Sequence, residues 1–293
     1  MELRLLKYFL AIANEGNISK AAETLHLTQP TLSRQLVDLE DELGKKLFNR
    51  GRHISLTEEG RILQRRAEEI LKLVDKTKNE LNQTDELIGT ITIGSGVYSA
   101  SSEIIRYLEE FSYLYPKVQY EIYTNSADTL QEKLDQGLLD FALLQEPVDI
   151  VNYDFLRLKT KDTWGLLMRS DSPLTAKTSI TREDLIGRRL GSVRRLNIRR
   201  EIENWLGDIH DLNIIATFNL IDNAIPLVVD NFAEIITIDG AIKFYDSNKF
   251  TFRPFKPSLE TSTVLVWKRF SPTFGVTKIF LNFIKENLSE HNK

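Results

Sequence analysis

The sequence predicts an α plus α/β chain: an N-terminal winged helix-turn-helix, a long linker helix, and a C-terminal α/β region of two lobes. Three observations carry this reading. Over residues 1–58 apolar side chains recur at helical spacing and are interrupted at Gly16 and Gly44. Over 59–89 an apolar stripe runs at alternating spacings of four and three residues. From Thr90 onward, strand-like runs alternate with helix-like ones through 90–293. A chain of 293 residues has room for more than one core.

The first helix carries Leu3, Leu6, Phe9, Leu10 and Ala13 on one side and stops at Glu15-Gly16. Asn17 is placed to cap a second helix, Ile18 to Leu25, in which Ala21 and Ala22 allow close helix crossing. Thr28 caps a third, with Pro30 in the first turn, where a missing N–H costs nothing. Its apolar set is Leu32, Leu36, Leu39 and Leu43. A glycine-turned basic hairpin follows, Lys46 to Leu56, and Thr57 caps the linker helix. The linker stripe is Leu63, Ala67, Ile70, Val74, Thr77 and Leu81, a seam along which two copies of the helix would pair.

After Thr90 the order is Thr90–Ile93, a helix near Ser101 to Tyr115, Val118–Tyr123, a helix near Thr129 to Gln136, and Leu139–Leu144. This β-α-β-α-β run requires a parallel sheet with crossover helices. A similar alternation runs from Thr163 to about Ile238, then a strand Ser262–Lys268 and an amphipathic helix Val276–Leu288. The lobes divide as about 90–160 with 265–293, and about 161–264.

Composition narrows the chemistry. Hydrophobic residues at 42% and charged residues at 27% describe a chain that folds rather than one that stays disordered. With no cysteine, disulfides, thiolate metal sites and thiol nucleophiles are excluded together. His26, His53, His210 and His291 lie at no metal-ligand spacing, so neither a metal nor another cofactor is called for. Gly94-Ser95-Gly96 has the spacing of neither a nucleophile elbow nor a phosphate-binding loop, and no catalytic residues are assigned. The charged N-terminus does not read as a signal peptide and no run is long enough to span a membrane, which fits the cytoplasm.

The net charge of −4 hides a local reversal: Leu43 to Arg66 holds seven basic residues against two acidic ones. Leu32, Leu36, Leu39 and Leu43 fall on one side of the third helix, whereas Gln29, Pro30, Ser33 and Arg34 face away. Gln29 can pair with adenine, Arg34 with guanine or phosphate, Thr31 and Ser33 with either groove edge, and Pro30 can touch a thymine methyl. Arg50 and Arg52 in the hairpin suit phosphate or the minor groove, adding affinity rather than base choice.

Phe9 to Leu36, Leu39 to Arg50 and Leu56 to Gly60 together resemble the DNA-binding signature of LysR-type transcriptional regulators. The resemblance covers about the first 60 residues, and Leu134 to Ala142 is similar to a segment of that family's effector domain. It implies a cytoplasmic, non-enzymatic regulator of transcription, dimeric and tetrameric, on an interrupted palindrome of double-stranded DNA. It also implies a small-molecule effector held between lobes like those of periplasmic-binding proteins. Two departures stand out: only five residues separate Arg50 from Leu56, and Val228 to Ile235 lacks the paired glycines common in the family. The competing readings, an enzyme or a transporter's solute-binding protein, use only the α/β part and leave the first 60 residues without a role.

Ligands of open α/β sheets sit at the carboxyl ends of strands. That rule selects Ser95, Ser99, Asn125, Ser126, Ser192 and Arg194 as effector contacts. Arg188 to Arg200 contains six arginines and no acid, which suits an anionic effector at Arg194 or, alternatively, a solvated basic face.

Overall fold

The computed structural model describes residues 1–49, 54–81, 87–208, 212–245, 248–269 and 275–290. It falls into two compact units, Met1–Asn82 and Gln83–Lys293. Among the described residues no helix is long and apolar enough to cross a membrane.

In the first unit, α1 (Leu3–Glu15) buries Leu5, Leu6, Phe9 and Ile12. Helix α2 (Ile18–Thr24) starts where the Asn17 side chain accepts the Lys20 N–H at 3.1 Å, and buries Ala21 and Ala22. Helix α3 (Gln29–Leu43) opens under the Thr28 hydroxyl and closes on Gly44, whose φ of 63° suits a residue without a Cβ. Leu32, Leu36 and Leu39 complete this core, but Leu43 is 39% exposed and does not belong to it. One turn past Leu39, the helix has already run beyond the neighbours that would cover Leu43.

The hairpin strands β1 (Phe48–Asn49) and β2 (Ser55–Leu56) pair antiparallel, Phe48 opposite Leu56. Glu40 anchors its base: 2% exposed, it accepts from the Leu47 N–H and from Lys46 Nζ, both at 2.8 Å. Helix α4 (Glu58–Leu81) is capped by Thr57, whose hydroxyl accepts the Gly60 N–H at 2.9 Å and donates to the Lys46 carbonyl at 2.8 Å. Ala67 is fully buried against the helix-turn-helix core, and Leu63 and Ile70 pack beside it. The stripe expected to form one seam between copies is therefore divided, its first half covering the chain's own core.

The second unit begins β3 (Gly89–Ser95), α5 (Ala100–Leu114), β4 (Val118–Thr124), α6 (Ala127–Asp135), β5 (Phe141–Gln145). As the β-α-β-α-β pattern requires, β3 lies parallel between β4 and β5. Then come β6 (Tyr153–Arg169), β7 (Arg189–Val193), α7 (Leu196–Leu206), β8 (Asn213–Phe218), α8 (Ile225–Val229) and β9 (Glu234–Ile238). The chain finishes with β10 (Phe250–Pro254), β11 (Glu260–Lys268) and α9 (Gly275–Glu290). The strand order is β4-β3-β5-β11-β6-β9-β7-β8, with β10 also on β6.

Seventeen-residue β6 belongs to both lobes: it pairs with β11 as far as Thr163, then with β9 from Trp164 to Leu167. In the first lobe, β5 is buried on both faces. Phe141 and Leu143 meet Phe111 and Phe280, while Ala142 and Leu144 meet Leu130 and Leu134. This is the continuous apolar run of a doubly covered strand. The second lobe closes on Leu166, Leu190, Ile202 and Ile235, with Trp205 stacked on Phe255 at 4.2 Å between ring centroids.

Candidate functional site

Two sites are built on this frame, one in each unit. On α3, burial of Leu32, Leu36 and Leu39 leaves Gln29, Pro30, Thr31 and Arg34 exposed and Ser33 half-exposed. Gln29 Nε2 donates to Ser33 Oγ at 3.0 Å, which holds the amide along the helix and leaves its other N–H and its carbonyl oxygen open to solvent. The Thr31 and Thr28 hydroxyls lie 2.8 Å apart. Arg34 carries no side-chain hydrogen bond among the described residues. Arg50 and Arg52 fall outside the described residues.

In the second unit a cleft of about 670 Å³ opens between the lobes. Its floor is apolar, with Trp164, Ile198, Phe218, Ile221 and Ile238. The first lobe adds Ser126, Asp128, Thr129, Gln145 and Asp149, and the second adds Arg194, Arg195, Asn197 and Asn219. A concave apolar site with a few convergent polar groups has the form of a small-molecule site.

Where β6 passes from one lobe to the other, Asp162 is 1% exposed and takes the Ser99 N–H at 3.2 Å. Burial raises its pKa; hydrogen bonds from Ser99 oppose this, and nearby Asp239 adds to it. Asp239 in turn accepts the Thr163 N–H at 3.0 Å. A Cβ on Gly240 would stand 2.1 Å from Asp162 Oδ1, so the backbone can approach this carboxyl only as glycine. The Tyr98 phenol is pushed up to about 12, chiefly by burial, with Arg195 opposing, so near neutrality it keeps its proton. Arg195 reaches across the cleft from the second lobe and donates to the carbonyls of Gln145 and Pro147, each at 2.9 Å.

Of the six residues selected from the sequence, Ser126 and Arg194 line the cleft and four do not. Ser95 is 6% exposed and donates to the Gly96 carbonyl at 2.6 Å. Ser192, 4% exposed, is enclosed within the sheet. Ser99 serves the crossing point through Asp162, and Asn125 is tied to the Tyr123 hydroxyl and the Ser126 N–H. The strand-end rule finds the right loops, yet within them the cleft is also lined by other positions, Tyr98, Asp128, Gln145 and Arg195. The six-arginine segment is also not one face: Arg188 pairs with Glu234 at 2.9 Å, Arg189 lies over Phe232, Arg195 grips backbone, and the Arg194 side chain lines the cleft without a partner among the described residues.

Residues 3–61 match the family model for the bacterial regulatory helix-turn-helix protein, lysR family, and residues 84–289 match that for the LysR substrate binding domain. The HTH-type transcriptional regulator YtlI of Bacillus subtilis (strain 168) is 33% identical over 208 residues, 70% of this chain and 67% of YtlI. BsdA of the same organism is 31% identical over 219 residues, 73% of this chain and 74% of BsdA. The Hca operon transcriptional activator HcaR of Escherichia coli (strain K12) is 26% identical over 282 residues, 92% of each. Full-length CbnR, solved in complex with its target DNA, shares the fold with a TM-score of 0.75 at 18% identity, covering 98% of this chain and 99% of that one.

Proposed function

This chain belongs to the LysR family of bacterial regulatory helix-turn-helix proteins, and from that premise we propose which residues read DNA and where the effector sits. It is a DNA-binding regulator of transcription with a small-molecule-binding second domain, as its helix-turn-helix and substrate-binding matches together require. It acts in the cytoplasm on double-stranded DNA, as a dimer and tetramer, and is no enzyme.

One observation carries the assignment of the base-reading residues: α3 turns Leu32, Leu36 and Leu39 inward and offers Gln29, Pro30, Thr31, Ser33 and Arg34 to solvent. Gln29 and Arg34 choose bases. Thr31 and Ser33 support them, Pro30 meets a thymine methyl, and the hairpin residues Arg50 and Arg52 hold phosphate. The domains are 1–58 for DNA, 59–89 for the linker and 90–293 for the effector. The effector lies in the inter-lobe cleft on Ser126 and Arg194, and its differential affinity for two closures of the lobes sets how the dimers pair on an interrupted palindrome.

A gel shift on DNA upstream of the protein's own gene, at several salt concentrations, tests the DNA half. Arg34→Ala should flatten the preference among base variants by roughly 1 to 3 kcal/mol. Arg52→Ala should weaken every sequence alike and lower the salt slope by about one. Base preference unchanged in Arg34→Ala would overturn its role.

A further inference from the structure

The charge lining the cleft is balanced, not positive. Asp128 and Asp149 stand on the first lobe and Arg194 and Arg195 on the second. Arg195 is committed to the Gln145 and Pro147 carbonyls, and one Asp149 oxygen to the Val151 N–H at 3.1 Å. That leaves the Asp128 carboxylate and the Arg194 guanidinium, each without a hydrogen bond among the described residues, facing one cavity from opposite lobes. An independent observation adds a donor: Gln145, 7% exposed and in the same lining, has a buried Nε2 with no partner. A buried amide N–H left unmade costs free energy that a ligand acceptor recovers. Between these groups the floor is Trp164, Phe218, Ile221 and Ile238.

A plain carboxylate would satisfy Arg194 and Gln145 but would bring no cation to Asp128, whose charge meets only that of Arg195 in this lining, or to the free Asp149 oxygen. We infer that the cleft takes an apolar-bodied zwitterion, an α-amino acid or close derivative with both its ammonium and its carboxylate free. The carboxylate meets Arg194 and the Gln145 amide, the ammonium meets Asp128 and the free Asp149 oxygen, and the side chain lies on the Trp164 floor. This deepens the cleft reading and rests on it.

The test is calorimetry on the full chain with the twenty protein amino acids. Each apolar amino acid is paired with its des-amino carboxylate and its decarboxylated amine, for example L-phenylalanine with 3-phenylpropionate and phenethylamine. At least one apolar amino acid should bind, and its two analogues should bind about ten- to a hundred-fold more weakly, the worth of one charge-assisted hydrogen-bond set. Asp128→Asn, at an exposed position, should weaken the amino acid by a similar factor while leaving the carboxylate no weaker. Arg194→Gln should do the reverse for the amine. A des-amino carboxylate as tight as its amino acid, unchanged affinity in Asp128→Asn, or no binding by any of the twenty would overturn the inference. Amino-acid binding left unchanged by Asp128→Asn, Arg194→Gln and Val193→Trp alike, three substitutions of the lining, would overturn the cleft reading itself.

Discussion

Glu40 is enclosed by the protein yet keeps its charge. Burial pushes its carboxyl pKa up, but the Lys46 ammonium and the N–H groups of Leu47 and Phe48 outweigh burial and hold the value below the ordinary one. Lys46 is 62% exposed and screened, so most of the worth lies in the backbone donors that Glu40 satisfies at the base of the hairpin. Glu40→Ala should therefore cost the first unit about 2 to 3 kcal/mol by stranding the Leu47 N–H. Because two units seldom unfold as one, amide hydrogen exchange in α1 to α3 is the measurement, not a global melting point. The sign with pH follows from the lowered value. The charge contributes fully above the ordinary carboxylate range and its contribution is lost as pH falls through the folded value. Protection in the native chain should thus approach that of Glu40→Gln in acid and exceed it at neutrality. Equal protection of the two at neutral pH would remove the anchoring role.

Helix α4 has 24 residues, about 36 Å of rod, and its two sides do different work. Ala67 touches the helix-turn-helix core with no exposed surface, while Ile62 and Leu73 stand 52% and 37% exposed. Ala67→Leu should overpack that core and cost the first unit about 1 to 3 kcal/mol, read by the same amide exchange. Leu73→Ser should leave the exchange unchanged and weaken self-association in sedimentation equilibrium; unaltered association would place the dimer contact elsewhere on the chain. The helix boundaries were legible in sequence because caps are local: Asn17, Thr28 and Thr57 act within three residues of themselves. The division of the α4 stripe was not, since a seam and a core contact share one periodicity. Nor was β6 visible, because it changes lobes midway and its burial alternates in one half and is continuous in the other. In the cleft, the strand-end rule leads to the loops that carry Tyr98, Ser126, Gln145 and Arg194, whereas which side chains of those loops face the cavity, and that Arg195 joins them, depends on the packing of distant loops.

At the scale of the whole second unit, Arg195 decides how far the lobes can part. Its guanidinium spans two carbonyls of the opposite lobe, those of Gln145 and Pro147, with both bonds at 2.9 Å. Charge-assisted bonds of this kind contribute roughly 1.5 to 3 kcal/mol net each, so two of them can bias the closed arrangement on the order of a hundred- to ten-thousand-fold. Both carbonyls can be hydrated once the lobes separate, so the net bias is smaller than the sum and within reach of an effector's binding energy. Burial draws the guanidinium pKa down, yet an arginine remains charged throughout the physiological range, so the clasp does not loosen with modest changes of pH. The Arg195 clasp should therefore hold alike at pH 6 and pH 8. In Arg195→Ala the lobes should part more readily: small-angle scattering of the full chain without effector should show a larger radius of gyration at pH 6 and pH 8 alike. Arg195→Lys should resemble Arg195→Ala, because one ammonium cannot present two parallel N–H groups to the pair of carbonyls. Scattering curves indistinguishable from the native chain in both variants would show that the clasp is incidental to closure.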